Sequence, residues 1–118
     1  MIVDFIRPWQ HVLETLSGYL LLEVKLKKFE KKFSGESFNF GPLKQRKKRV
    51  LDLILQLSKF FNTFTWEKRN NKNNDNETGI LKLNSKKSIK MLNWKPVWTQ
   101  TEAIKYTAKW YKNFYENK

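Results

Sequence analysis

Apolar residues recur at helical spacing in four parts of the chain. The first helix is predicted from Val12 to about Phe29, with Leu13, Leu16, Leu20 and Val24 three or four positions apart. Three lysines near its end suit the negative pole of a helix, and the next break falls at Ser34-Gly35. The pattern therefore predicts a long N-terminal amphipathic helix.

Three further helices follow in the C-terminal two thirds of the chain. The second has one apolar face, formed by Val50, Leu53, Ile54, Leu57, Phe60 and Phe61. A short third helix is predicted after Ser85, which can cap it, and it ends at Asn93, a residue that tolerates a left-handed turn. Thr99 and Glu102 have the spacing of a capping box and predict the start of a final helix. Its expected buried face consists of Ile104, Thr107, Ala108, Tyr111, Phe114 and Tyr115.

Short extended segments are predicted between the helices. Their β-branched and aromatic composition favours strands at Ile2–Arg7, Ser37–Phe40, Thr63–Trp66 and Ile80–Leu83. Residues Arg69–Asn76 read as a polar loop. The order strand, helix, strand, helix, extended, helix, helix predicts an α/β fold, with residues 1–118 in one domain.

The positive charge is the strongest compositional feature. The 118 residues carry 24 Lys plus Arg against 11 Asp plus Glu, a formal net charge of +13, which suggests an anionic partner. Lysine supplies 20 of the 24, however, whereas nucleic-acid surfaces commonly use arginine as well. A solvated lysine-rich surface is therefore favoured over a polyanion site. The densest cluster, Lys44–Arg49, allows either interpretation.

Several chemistries are excluded by composition. The chain lacks cysteine and has one histidine, His11, which excludes disulfides, thiolate nucleophiles and multi-histidine metal centres. Its four glycines are far apart, so no glycine-rich phosphate loop is present. The longest apolar stretch in the first helix, Thr15–Leu22, is far shorter than the roughly 20 residues of a membrane span. No signal peptide is apparent, and a soluble, cytoplasmic protein is expected.

Four sequence blocks occur together in an order that resembles one known family. They are RPWQHVLE at Arg7–Glu14, FNFGP at Phe38–Pro42, the stretch Glu77–Ser85, and LNWKP at Leu92–Pro96 with the TAKWY motif at Thr107–Tyr111. These blocks resemble the substrate-binding C-terminal portion of extended short-chain dehydrogenase/reductases, the NAD-dependent epimerase/dehydratase family. They are most similar to those of CDP-glucose 4,6-dehydratases, and span nearly the whole chain.

The resemblance implies an α/β substrate-binding part without the Rossmann domain. In complete family enzymes, that domain binds NAD, which takes a hydride from C4 of the hexose. Water is lost across C5 and C6, and the hydride returns to C6, a step in deoxysugar biosynthesis for lipopolysaccharide. We therefore expect no cofactor on this chain alone, no catalytic residue and no independent turnover. The expected partners are a CDP-sugar, a Rossmann-domain portion supplied in cis or in trans, and a second copy of the chain.

Four residues are candidate substrate ligands by this resemblance. Arg7 occupies the family position that grips the nucleotide diphosphate, and a guanidinium fork suits phosphate oxygens. Gln10 and His11 follow it directly, although His11 at a strand-to-helix junction also suits a structural hydrogen bond. Glu77 aligns near the nucleotide but fits an ordinary loop carboxylate as well.

Some positions depart from the family pattern. Thr15 replaces a proline, Asn76 a histidine, Asn84 an aspartate and Asn93 a glycine. The changes at Asn76 and Asn84 weaken the expected nucleotide contacts of that loop. The alternative function is a small lysine-rich module that binds nucleic acid or another polyanion; we expect neither membrane nor nucleic acid as the principal partner.

Overall fold

A computed structural model describes residues 4–43, 48–67 and 79–116. Its five helices are α1 (Val12–Lys28), α2 (Glu30–Phe33), α3 (Val50–Ser58), α4 (Lys86–Leu92) and α5 (Gln100–Glu116). Helix α1 contacts α2 and α4, whereas α3 contacts α5. Periodicity and caps in the sequence thus located the four longer helices, and the short α2 adds one turn after α1. Helix α3 ends at Ser58, however, so Phe60 and Phe61 lie beyond the helix to whose face they were assigned.

The predicted α/β fold class is wrong, because the described residues form helices and no sheet. Extended pairing is limited to isolated bridges from Ile6 to Arg49, antiparallel, and from Ile6 to Ile80, parallel. Only single residues of the predicted strands at Ile2–Arg7 and Ile80–Leu83 therefore pair, and residues 1–3 lie outside the described part. A single bridge on each side satisfies too few backbone groups to build a sheet.

The predicted strands at Ser37–Phe40 and Thr63–Trp66 do not form either. In the first case, side chains satisfy the backbone groups that a neighbouring strand would otherwise bind. The Asn39 carbonyl accepts from the Ser88 hydroxyl, and the Ser85 hydroxyl bonds both the N–H and the carbonyl of Gly41. Ser85 lies at the N-cap of α4, but its hydroxyl makes these contacts in place of the expected helix cap.

One hydrophobic cluster lies between α1, α2 and α4. Phe33, Phe40, Leu92 and Trp94 are buried at its centre. Phe40 meets α1 at Gly18, where an added Cβ would overlap the phenyl ring, so a residue without a side chain allows this close contact. Asn93 ends α4 with a left-handed φ of 57°, as its position predicted.

Helix α1 turns its apolar stripe outward. Leu13, Leu16, Leu20 and Val24 are between 44% and 65% exposed, whereas Glu14 and Gly18 are buried. The half-buried Leu21, Leu22 and Leu26 pack on the cluster around Phe40. The regular stripe seen in the sequence is therefore a real helical face, but among the described residues nothing covers it.

A second small cluster supports α3 and α5. Val50 and Ile54 of α3 are buried with Phe5 and Trp9 against them, and α5 buries Ala103, Ile104 and Ala108. The capping box predicted at the start of α5 is present, since Thr99 N–H donates to Glu102 and Glu102 N–H to the Thr99 hydroxyl. The buried face predicted for α5 is wrong at its C-terminal end, where Tyr111, Phe114 and Tyr115 are exposed because the body of the chain ends before them.

Candidate functional site

Arg7, the predicted diphosphate ligand, lies in the extended segment that leads into α1. Its Nη1 donates to the Ile6 carbonyl at 3.0 Å, and its guanidinium carbon lies 4.8 Å from the centre of the Phe5 ring. The side chain is half-buried. The Phe5 ring and the Ile6 carbonyl together orient the guanidinium, so Arg7 is held by its own extended segment.

Gln10 joins this segment to the second family-like block. Its Nε2 donates to the Phe40 carbonyl at 2.7 Å and to the Thr15 hydroxyl at 2.6 Å. The Gln10 Oε1 atom is buried and has no hydrogen-bond partner. Gln10 is therefore a cross-link between the start of α1 and the segment before Gly41, with its amide nitrogen already engaged.

His11 is the N-cap residue of α1. Its Nδ1 accepts the Leu13 N–H at 3.2 Å, and its ring meets Trp98 edge to face with centroids 4.8 Å apart. A neutral imidazole that accepts at Nδ1 carries its proton on Nε2. The hydrogen bond thus assigns the Nε2–H tautomer, which can donate to a ligand oxygen. The structural role foreseen for His11 is present, and its role as a ligand stays a prediction.

Glu14 and Trp98 are site residues that the sequence reasoning missed. Glu14 lies in the first turn of α1 and is only 5% exposed. Its carboxylate accepts hydrogen bonds from two backbone N–H groups of the Pro96–Thr99 loop. Val97 N lies 2.9 Å and 3.1 Å from the two carboxylate oxygens, and Trp98 N lies 2.6 Å from one of them. Trp98 lies between the rings of His11 and Tyr106.

A signal for Glu14 was present in the sequence. Glu14 and Gly18 lie four positions apart on one side of α1, beside the stripe of Leu13, Leu16, Leu20 and Val24. In the structure this face contacts the body: the Trp94 indole N–H donates to the Ser17 hydroxyl at 3.0 Å. A polar helix face is usually assumed to be solvated, so its burial was not foreseen.

The family-like blocks converge on this face of α1. Gln10 and Gly18 contact the block at Phe38–Pro42, whereas Glu14 and Ser17 contact the segment from Trp94 to Trp98. Ser85 ties the third block to Gly41. Residues that are far apart in sequence are thus joined around the start of α1.

A cavity of about 500 Å³ opens beside Trp98. Its wall combines apolar and polar groups from two stretches of the chain, namely Pro42, Leu43, Lys48 and residues 96–101. Arg7, Gln10 and His11 do not line it, although His11 touches its wall through Trp98.

Three sequence predictions concern residues outside the described ranges, and the polar loop predicted at Arg69–Asn76 lies wholly outside them. Glu77 also lies outside them, so its ligand role stays a prediction. The basic cluster Lys44–Arg49 is described only at Lys48 and Arg49. There, the Arg49 guanidinium lies 3.5 Å from Asp4 and 3.6 Å from Asp52, so acidic neighbours partly neutralise it.

Within the described residues, no set of three acidic or histidine side chains is grouped as a metal site. The helices of that same part of the chain include none long and apolar enough to cross a membrane.

Comparison with known proteins relates the chain to the nucleotide-sugar dehydratases. CDP-glucose 4,6-dehydratase of Salmonella typhimurium is 36% identical to it over 107 residues, which cover 91% of this chain. The same stretch covers 30% of the Salmonella enzyme, so the chain spans less than a third of this relative, a share consistent with its C-terminal portion. The resemblance predicted from the sequence blocks is therefore confirmed. No protein-family profile matches the chain.

Proposed function

We propose that the chain is the nucleotide-sugar-binding part of a dehydratase similar to the Salmonella enzyme, and that it binds the CDP moiety of a CDP-sugar. Arg7 holds the diphosphate, and His11 donates from Nε2 to an oxygen of the same ligand. Glu77 and Gln10 complete the predicted ligand set. Turnover requires a Rossmann-domain portion, in cis or in trans, so the chain alone is inactive.

The geometry of the Arg7–His11 segment carries this proposal. Within five residues, one guanidinium is stacked and one imidazole is fixed in a single tautomer, at the N-terminal end of a helix 17 residues long. Helix N-termini favour anionic groups, and arginine favours diphosphate oxygens. The relative's name supplies the sugar nucleotide that fits this chemistry.

NAD, which the family resemblance implies, does not fit the residues of this chain. Dinucleotide sites need glycines clustered between a strand and a helix, so that backbone N–H groups reach the pyrophosphate. Here Gly18 faces Phe40 inside α1, and Gly41 faces Leu83 and Ser85. Both glycines thus serve packing. We assign NAD binding to the Rossmann-domain portion.

Calorimetric titration of the chain with CDP tests the proposal. We expect saturable binding that Arg7→Ala weakens by about 10- to 100-fold, the loss of hydrogen bonds to a charged group worth about 1.5–3 kcal/mol. Arg7→Lys should recover only part of it, because an ammonium cannot form the bidentate fork. His11→Asn separates the two roles of His11, since asparagine caps helices well but places no donor at the Nε2 position.

A matched control addresses non-specific attraction. Lys59→Ala removes one positive charge from the end of α3 and should leave CDP affinity unchanged. Equal affinity of the wild type and Arg7→Ala would contradict the diphosphate role. If Lys59→Ala weakened CDP binding as much as Arg7→Ala, and affinity fell steeply with salt, the polyanion module would be the better explanation.

A further inference from the structure

Two neighbouring peptide groups converge on the buried carboxylate of Glu14. Its Oε1 lies 2.9 Å from Val97 N and 2.6 Å from Trp98 N, and Oε2 lies 3.1 Å from Val97 N. More than 80 residues separate Glu14 from these donors. Hydrogen bonds to a carboxylate are about twice as strong as those between neutral groups. The Pro96–Thr99 loop is therefore fixed to α1 by one side chain.

The loop in turn places the Trp98 indole. The ring meets His11 edge to face at 4.8 Å with an interplanar angle of 86°, and Tyr106 of α5 lies 4.7 Å away, tilted by 32°. The His11 imidazole thus has Trp98 against it while Nδ1 accepts from Leu13 N. A continuous chain of contacts runs from Glu14 through the loop to the imidazole.

We propose that Glu14 is a positioning residue for His11. By holding Val97 and Trp98, the carboxylate keeps the indole against the imidazole, so that Nδ1 stays on the helix cap and Nε2–H remains the donor available to a ligand. Glu14 does not touch the ligand in this arrangement. The role in ligand binding rests on the proposed function, whereas the placement of His11 is testable without it.

His11 is the sole histidine, so its ring protons give an isolated proton NMR signature. The edge-to-face indole shifts these signals away from their positions in an unfolded chain. We expect Glu14→Ala to return the His11 signals toward those positions and to weaken CDP binding about tenfold. Trp98→Leu should have the same two effects while Glu14 is unchanged.

Ser17→Ala is the matched control, because Ser17 also ties α1 to the body, through Trp94, but does not contact the Trp98 loop. It should leave the His11 signals in place. Should Glu14→Ala fail to fold, Glu14→Gln retains one acceptor oxygen and replaces the other with a donor that opposes the Val97 N–H. We expect it to shift the His11 signals in the same direction by a smaller amount.

The double variant Glu14→Ala/Trp98→Leu completes the test. If both residues act on His11 through one path, the double variant should bind CDP no more weakly than either single variant. Additive losses, or His11 signals that stay unmoved in folded Glu14 variants, would overturn the proposal. If the wild-type chain fails to bind CDP, the proposed function is wrong, and the NMR signals alone then decide the positioning role.

Discussion

Gly18 shows how one residue without a side chain sets the distance between α1 and the segment at Phe40. A Cβ at this position would overlap the Phe40 ring, which is buried against Trp94 at a centroid distance of 5.1 Å. We expect Gly18→Ala to destabilise the chain by up to about 2 kcal/mol. Overpacking destabilises by about 1–3 kcal/mol, and the higher helix propensity of alanine offsets about 1 kcal/mol of this cost.

Urea unfolding followed by circular dichroism measures the effect of Gly18→Ala. A smaller side chain at position 40 should relieve the overlap with the new Cβ. Phe40→Leu is therefore expected to cost less stability in the Gly18→Ala background than in the wild type. Strict additivity of the two changes would show that the helix does not meet the ring here.

The family resemblance supplied the ligand candidates, whose role stays a prediction, but it did not supply the residues that support them. Arg7, Gln10 and His11 belong to one continuous motif, and local sequence placed His11 correctly at the start of a helix. Glu14 and Trp98 are joined only by the fold, across a separation of 84 residues. No local pattern states which backbone groups a glutamate will meet, so this part of the site required the structure.

At the scale of elements, the capping box of α5 makes stability depend on pH. Hydrogen bonds from the Thr99 hydroxyl, and then from its N–H, hold the pKa of Glu102 below its ordinary value of 4.5. A lowered pKa in the folded state stabilises the fold above the unfolded value, and this contribution is lost as pH falls from about 4.5 through the folded pKa. We expect Glu102→Gln to reduce the acid sensitivity of unfolding.

Thermal unfolding between pH 6 and pH 3, about the range in which carboxylates titrate, provides the measurement. Glutamine can keep the capping geometry, so stability near pH 3 should change little while the slope with pH decreases. Thr99→Ala removes both hydroxyl contacts and should also reduce the slope. Two other carboxylates also have a lowered pKa: Asp52 accepts a hydrogen bond from the Arg49 N–H, and Glu23 accepts one from Lys27. Part of the dependence of stability on pH therefore remains in both variants. An unchanged slope in both variants would contradict the role of the capping box.

Helices and strands differed in how well the sequence predicted them. Helix formation follows from local spacing and caps, which is why α1, α3, α4 and α5 were located. A strand also needs a partner, and the Ser37–Phe40 segment instead accepts hydrogen bonds from the Ser88 and Gln10 side chains, while Ser85 binds the adjacent Gly41. The alternation of apolar residues at Phe38 and Phe40 thus reflects burial against α1 and α2, and it does not indicate a strand of a sheet.

At the scale of the whole molecule, the placement of apolar groups is more informative than the net charge of +13. Leu13, Leu16, Leu20 and Val24 face outward on α1, while Glu14 and Gly18 are buried and Leu21, Leu22 and Leu26 pack on the core cluster. Helix α1 is therefore apolar on two sides, whereas a surface helix of a self-contained domain usually carries one apolar stripe, which faces the core. Large exposed apolar patches mark interaction sites. We propose that a Rossmann-domain portion covers this face, because the Salmonella relative is more than three times as long as the matched stretch.

Substitution of two leucines on this face tests the docking proposal. Leu16→Gln/Leu20→Gln changes exposed positions, so the free energy of unfolding should change by less than about 1 kcal/mol, the sum of two ordinary surface effects. Co-expression with the part of the Salmonella enzyme outside the matched stretch should yield a complex with the wild type. We expect the double variant to lose it, because two amides would be buried without partners.

Neighbouring leucines on α1 supply the matched control. Leu21→Gln/Leu22→Gln makes the same chemical change at half-buried positions that pack on the cluster around Phe40. It should destabilise the chain by several kcal/mol, because the loss of a buried leucine costs at most about 2–5 kcal/mol. Loss of the complex in a variant whose own stability is intact identifies the outward face as the contact surface. Leu16→Gln/Leu20→Gln that co-purifies with the remaining part of the Salmonella enzyme as well as the wild type does would show that α1 is not the docking helix. The exposed aromatic end of α5 would then be the next surface to substitute.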